Sequence, residues 1–218
     1  MKLTQLVTLS GLALAIASPA LAQSAPQSPA PGRIYISAEG GPLLQPQASA
    51  GFGVEFGQRV HRDVVAYATL SYFENLMSDD LDKDLSALSR TVTTRTGRAW
   101  DLQGRDRGVG FVVGAKYVAG IGFVRPYVGG GAGALAIRRR ITDPRAGDVT
   151  AATYTDFGVG DPALTTNSLT RPLAEATAGV ALEFGRARVD VGYRFRRSFH
   201  FDQTPDFSQA VVGVGINF

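Results

Sequence analysis

The last twelve residues, 207–218 (FSQAVVGVGINF), constrain this chain more than any other stretch. Counted back by twos, Phe218, Ile216, Val214, Val212 and Ala210 share one face of an extended strand, while Asn217, Gly215, Gly213, Val211 and Gln209 share the other. One face is apolar; the opposite one is mostly small or polar. Such a strand has two edges to pair, so the rest of the chain is read for strands of the same alternation.

At the amino end, residues 1–22 (MKLTQLVTLSGLALAIASPALA) carry Lys2, an apolar run over 6–17, and Ala20-Leu21-Ala22 in the small-x-small arrangement of an export-signal cleavage site. An uncleaved anchor would need about 20 apolar residues, whereas Thr8, Ser10 and Ser18 thin this run and Pro19 breaks it. Cleavage after Ala22 leaves a chain that begins at Gln23. Residues 23–32 (QSAPQSPAPG) have almost nothing to bury and read as a flexible leader. Of 22 basic side chains only Lys2 departs with the signal, so 21 remain against 19 acidic ones, near +2. That balance excludes a nucleic-acid binder. The absence of cysteine excludes a disulfide framework, a thiolate nucleophile and a Cys-based zinc site. No later segment offers 18 uncharged apolar residues, which argues against membrane-spanning helices, yet 44% of residues are hydrophobic and 26 are glycine.

Alternation accounts for them. Residues 33–41 set Ile34, Ile36 and Ala38 against Tyr35, Ser37 and Glu39; residues 49–57 set Ala50, Phe52, Val54 and Phe56 against Gly51, Gly53, Glu55 and Gly57. After a polar turn at 58–63, residues 64–72 are apolar on both faces, so their inward face stays open. Residues 108–118 set Val109, Phe111, Val113, Ala115 and Tyr117 against glycines, Val112 and Lys116. A glycine-laden fifth strand follows at 124–138, its inward face also open. Residues 171–185 place Ala174, Ala176, Ala178, Val180, Leu182 and Phe184 opposite Glu175, Thr177, Gly179, Ala181 and Glu183. Residues 188–201 place Val189, Val191, Tyr193, Phe195, Arg197 and Phe199 opposite Asp190, Gly192, Arg194, Arg196, Ser198 and His200. Together with the terminal strand this makes eight. Connections after strands two, four and six are short, and polar excursions at 75–106 and 139–170 follow strands three and five. In the first, Leu81, Leu85 and Leu88 have helical spacing behind Ser78 as N-cap.

The segments GVGFVVGAKYV, VRPYVGGGAGALAI, TAGVALEFG, RVDVGYRF and VVGVGINF together resemble the eight-stranded surface barrels of Gram-negative outer membranes, of the opacity-type and OmpA-like groups, over residues 33–218. The resemblance implies an all-β, antiparallel up-and-down transmembrane barrel in the bacterial outer membrane. It would contact outer-membrane lipid and lipopolysaccharide and be inserted by the barrel-assembly machinery through its C-terminal strand. Members serve as structural barrels, surface adhesins or narrow pores. The reading adopted is a structural or adhesin-like role through the surface loops, with a narrow channel for small solutes as the rival; no ligand of the loops is legible.

A charge facing lipid costs about 2 to 4 kcal/mol near the midplane for Arg or Lys, so Glu39, Glu55, Lys116, Glu175, Glu183, Asp190, Arg194 and Arg196 are expected to face the lumen as a paired network. Five are acidic and three basic, an excess that Arg33, Arg125 or Arg138 would have to offset. Pairing around the 185–188 turn is expected to put Glu183 opposite Asp190, with Lys116 as the cation joining them and Glu175 diagonal to Arg196. Phe56, Tyr117, Phe184 and Phe218 are expected on one rim, and Tyr72, Phe73, Phe199 and Phe201 on the other. Arg197 faces outward near the long loops, within reach of lipopolysaccharide phosphates. Ser198 and His200 share the lumen face, away from any lipid substrate, and Gly129 to Gly133 has no helix-forming run behind it. Neither an enzyme nor a cofactor or metal site is therefore expected.

The signal reading has a direct check. Intact-mass measurement of the protein from its native envelope should give a chain starting at Gln23; retention of Met1 would refute it.

Overall fold

Strict alternation makes strands here, and the requirement that no edge remain unpaired in lipid makes a ring. The computed structural model describes residues 33–44, 49–77, 79–120, 122–155, 168–199 and 206–218. The expected signal, leader and Ser78 cap, as well as His200 and Phe201, lie outside the described residues. The elements are β1 (Ile34–Leu43), β2 (Ser49–His61), β3 (Val64–Phe73), α1 (Asp79–Thr96), β4 (Gln103–Val118), β5 (Val124–Asp143), β6 (Gly147–Asp148), α2 (Thr150–Thr155), β7 (Ser168–Phe184), β8 (Ala187–Ser198) and β9 (Asp206–Asn217).

Eight strands pair antiparallel with their neighbours in the order β1-β2-β3-β4-β5-β7-β8-β9, and β9 pairs back onto β1 through partners such as Ile36 and Ile216. The two-residue β6 pairs only with the end of β5, outside the ring. Following partners from Ile34 through Gln58, Ala66, Ala115, Gly130, Ala176, Phe195 and Ser208 returns to β1 at Leu44, ten residues further along. That stagger tilts the strands by roughly 40° to the barrel axis.

Burial is inverted relative to a water-soluble protein. Val214 is 61% exposed while Glu55, Lys116 and Arg196 are each 1% exposed. The outward residues of β4 from Val109 to Tyr117 and their counterparts around the ring form an apolar belt about 20 to 25 Å tall. No helix among the described residues is long and apolar enough to cross a membrane.

Several boundaries differ from those read in the sequence. The second strand continues through the expected 58–63 turn to His61, leaving Arg62 and Asp63 as the turn. β4 starts at Gln103, not 108, and β5 runs to Asp143, not 138. Both extensions alternate polar side chains, a pattern that counting apolar residues passes over. The two open faces are fixed by pairing. In β3, Val65, Tyr67, Thr69, Ser71 and Phe73 turn inward; in β5, Arg125, Tyr127, Leu135 and Ile137 do so, with glycines between. Phe73 is thus not a rim aromatic: it is fully buried inside the barrel.

α1 follows from the leucine spacing, with Asp79, Asp80 and Asp82 in its first turn and Arg95 in its last, matching the helix dipole. Gly97, at φ 68°, ends it by returning its N–H to the Thr93 carbonyl at 3.0 Å. Leu81 and Leu85 pack with Met77, Leu102, Ile141 and Val149 beyond the belt, and Leu88 packs against their edge. Gly104 makes this approach feasible, because a Cβ there would sit 2.5 Å from Leu85 Cδ1. The chain returning from α1 is latched at Asp143, whose carboxylate accepts the N–H groups of Asp101, Arg145 and Ala146, each at 2.9 Å.

These backbone donors, Asp101 first, hold the Asp143 carboxyl below its ordinary range. A depressed carboxyl stabilises the fold above the unfolded-state value and ceases to do so as pH falls through the folded one. Limited proteolysis in the segment 97–102 should accordingly speed up on strong acidification with an acid-active protease. In Asp143→Asn it should already be fast at neutral pH; an unchanged cutting rate there would refute the latch.

Candidate functional site

Eight strands enclose a space that side chains alone can fill, so the interior is the first place to look for function. Glycine decides where the large side chains lie. Tyr35 crosses Gly57, its partner in the ladder, and a Cβ on Gly57 would sit 2.2 Å from the ring. Tyr127 crosses Gly179 and Gly192, which face each other on β7 and β8, with its hydroxyl 2.6 Å from where either Cβ would stand. The glycines that make the inward faces look small in sequence are floors for tyrosines rooted on the next strand.

Those tyrosines feed a charged network. Glu55, at its centre, accepts Tyr35 Oη at 2.5 Å, Lys116 Nζ at 2.6 Å, Arg194 Nη2 at 2.6 Å and Thr69 Oγ1 at 3.4 Å. Arg194 also engages Glu39, with Nη2 to Oε2 at 2.5 Å and Nη1 on Oε1. The Lys116 ammonium lies 4.5 Å and 4.9 Å from the ring centroids of Tyr127 and Tyr67. One layer toward the long loops, Glu175 accepts Arg196 Nε at 2.7 Å and Tyr67 Oη at 2.9 Å, while Arg196 donates to Gln209 Oε1 at 3.0 Å. Toward the short turns, Arg188 bridges Glu183 at 3.4 Å and Asp190 at 3.0 Å, and Tyr127 donates to Asp190 at 2.6 Å.

The structure therefore brings all eight expected lumen charges inside, but pairs them differently. Glu183 lies opposite Arg188, not Asp190, whose partner is Ala181. Glu175 lies directly opposite Arg196 rather than diagonal to it. The cause is the β7–β8 turn: Gly185, at φ 63°, permits a two-residue loop of Gly185 and Arg186, which moves the register by two. Lys116 does not join Glu183 to Asp190; it serves Glu55, and Arg188 is the joining cation. Arg59, Arg125 and Arg188 are buried in the lumen and offset the expected excess of acid, whereas Arg33 and Arg138 stay exposed. Parity was the available signal: Arg188 shares it with Asp190, and Arg59 with Glu55.

Beyond the Arg196 layer the lumen turns apolar. Leu43, Phe73, Leu76, Val112, Leu135, Ile137, Leu173 and Phe207 form one buried cluster across the bore, with Phe73 and Phe207 edge to face at 5.1 Å. α1 sits outside this plug. At the rim, Arg139 forks onto Asp106 at 2.8 Å and 2.7 Å.

Among the rim aromatics, Phe56, Tyr117, Phe184 and Phe218 are exposed near the short-turn end, and Tyr72 and Phe199 near the other. Arg197 faces outward and lies 3.7 Å from Asp206. Ser198 is fully buried, and no cluster of His, Cys, Asp and Glu able to hold a metal occurs among the described residues.

Removing one partner of a buried pair strands the other, at a cost of about 3 to 5 kcal/mol. Arg196→Ala should lower the barrel's unfolding free energy by about that amount in detergent, and adding Glu175→Gln should recover part of it. Urea titration of heat-modifiable gel mobility reads both; an unaltered midpoint for Arg196→Ala would remove the pair from the fold's stability.

Among solved structures, a major outer membrane protein from Thermus thermophilus aligns at 10% identity over 85% of this chain and 99% of that one, with a TM-score of 0.52. The N-terminal β-barrel domain of Pseudomonas aeruginosa OprF aligns at 17% identity, 86% and 98% coverage and a TM-score of 0.49. Ail, the attachment invasion locus protein of Yersinia pestis, aligns at 12% identity, 87% and 100% coverage and 0.49. No family model and no curated protein matches the sequence. With the closed ring and the apolar belt, the Thermus likeness makes the chain a closed eight-stranded antiparallel transmembrane β-barrel, the fold of outer-membrane proteins.

Proposed function

We propose that this chain is a non-enzymatic barrel of the bacterial outer membrane, closed to solutes, which acts as an envelope component and surface platform. The observation that carries this reading is the filling of the bore: ion pairs occupy its middle, and an apolar cluster crosses its outer part beneath α1. A hydrated ion entering there would have to shed water against leucine and phenylalanine.

In this reading the short turns face the periplasm and α1 faces outward, held by Leu81, Leu85 and the Asp143 latch. A platform that rigid suits contact with another surface, in the manner of an adhesin. β9, with its exposed Val212, Val214 and Ile216 and with Phe218 just beyond it, is the strand offered to the assembly machinery, and lipid with lipopolysaccharide surrounds the belt. Ser198 supports no hydrolytic role, since it is buried among lumen side chains, away from lipid.

Planar-bilayer recording tests the central point. The wild-type chain should show little steady conductance, and Lys116→Ser should add openings, because Glu55 loses a donor and the middle layer admits water. A large wild-type conductance indifferent to that substitution would favour a narrow solute channel.

A further inference from the structure

We propose that the outward faces of β4, β5 and β7 bind a phosphorylated glycolipid of the outer leaflet, with phosphates on Arg105, Arg107, Arg138 and Arg140 and acyl chains in a trough below them. This rests on the membrane reading above and adds a defined site to it.

The β4–β5 ladder sets Arg107 opposite Arg138 and Arg105 opposite Arg140, and all four side chains are exposed on the outward face. The next outward pair is Val109 and Ala136, where the apolar belt begins. Two rows of guanidinium groups, about 7 Å apart along the strands, therefore stand at the upper edge of the belt, the depth of lipid headgroup phosphates. Like charges directly opposite each other destabilise a sheet, and compensation within the chain is sparse. Asp148 takes Arg140 at 2.8 Å. Asp106, between two of the arginines in sequence, points inward to Arg139. Glu74, just beyond β3, makes no ion pair with them, and Arg105, Arg107 and Arg138 have no carboxylate partner among the described residues. Planar guanidinium forks match phosphate oxygens two at a time, and more weakly hydrated arginine suits this better than lysine.

Directly beneath, the belt is hollowed. Gly130, Ala132, Ala134 and Ala136 line the outward face of β5, and their β7 neighbours are Ala176, Ala174, Pro172 and Thr170. Phe111 and Val113 rise beside them on β4, and Tyr193 and Phe195 on β8. The belt is bulkier on β2, with Phe52, Val54 and Phe56. On a ring of eight strands β4 and β8 stand three places apart, so these side chains flank a shallow stretch of the convex belt and acyl chains lie against β5 and β7 between them. A lipid with more than one phosphate matches the two arginine rows better than a glycerophospholipid with a single one.

Native mass spectrometry of the full-length mature chain in neutral detergent tests this with three probes: bisphosphorylated hexa-acyl lipid A, its dephosphorylated form, and phosphatidylglycerol. Bisphosphorylated lipid A should bind most tightly, and Arg107→Gln with Arg138→Gln should weaken it by about tenfold. Arg145→Gln, an exposed arginine on the β5–β6 turn, should leave it unchanged. Ala132→Phe with Ala174→Phe fills the trough and should weaken binding with every arginine in place; heat-modifiable mobility establishes that each variant is folded. Equal binding of the dephosphorylated lipid, of phosphatidylglycerol, or of either double variant would overturn the site. The purified chain reports on this wherever the cell places it, so fractionation away from the outer membrane would refute the location without deciding the lipid result.

Discussion

A carboxylate in the middle of a closed barrel sets the terms for everything around it. Glu55 is almost wholly buried, and an ion of that size taken out of water costs several kcal/mol unless donors replace its hydration. Its donors come from β1 (Tyr35), β3 (Thr69), β4 (Lys116) and β8 (Arg194), so strands distant in sequence must reach one depth together. The lipid face imposes no such demand, because Val, Ile and Phe are equally content at any depth of hydrocarbon. A one-residue slip would carry Glu55 or Lys116 into lipid. The network thus pins the registers that the apolar belt leaves free, and the walk from Ile34 to Leu44 around the ring is its outcome.

The bore is layered by the same logic. Where opposite charges can meet, at Glu55, Glu175 and Asp190, the filling is ionic; where β3, β5, β7 and β9 turn Phe73, Leu135, Leu173 and Phe207 inward, it is apolar. The Arg196 guanidinium, 5.1 Å from the Phe73 ring centroid, joins the two regimes: its polar edge serves Glu175 and Gln209 and its face meets the plug. α1 adds a second apolar cluster beyond the belt, tied to the barrel through Ile141 of β5.

Sequence alternation sufficed for the number of strands and for the inward direction of Glu39, Glu55, Lys116, Glu175, Glu183, Asp190, Arg194 and Arg196, because a charge and its neighbours at even spacing cannot face lipid. It is silent where both faces of a strand are apolar, as at 64–72, and so on the side that Phe73 takes just beyond that stretch. Pairing partners were lost for a different reason: they depend on turn length, and one glycine at positive φ moved Glu183 from Asp190 to Arg188. Tyr67 and Tyr127 were missed because the glycines that accommodate them lie on other strands. Nothing local to either residue signals the contact.

The extension of β4 and β5 past the belt shows how one ladder can serve two environments. Inward, Gly104 yields to Leu85, and Asp106 is matched by Arg139. Outward, Arg105 and Arg107 meet Arg140 and Arg138 with no such match. The two faces balance their charge in opposite ways: inside, Asp106 finds its counterion in the chain, and outside, of the four arginines, only Arg140 does so among the described residues, at Asp148. Charge left unbalanced on a rigid ladder is directed, since the guanidinium groups cannot drift apart as they would on a loop. If the filled bore is closed to solutes, as proposed, specificity toward other molecules lies on the outer surface, and this rim carries fixed charge beside small outward residues of the belt.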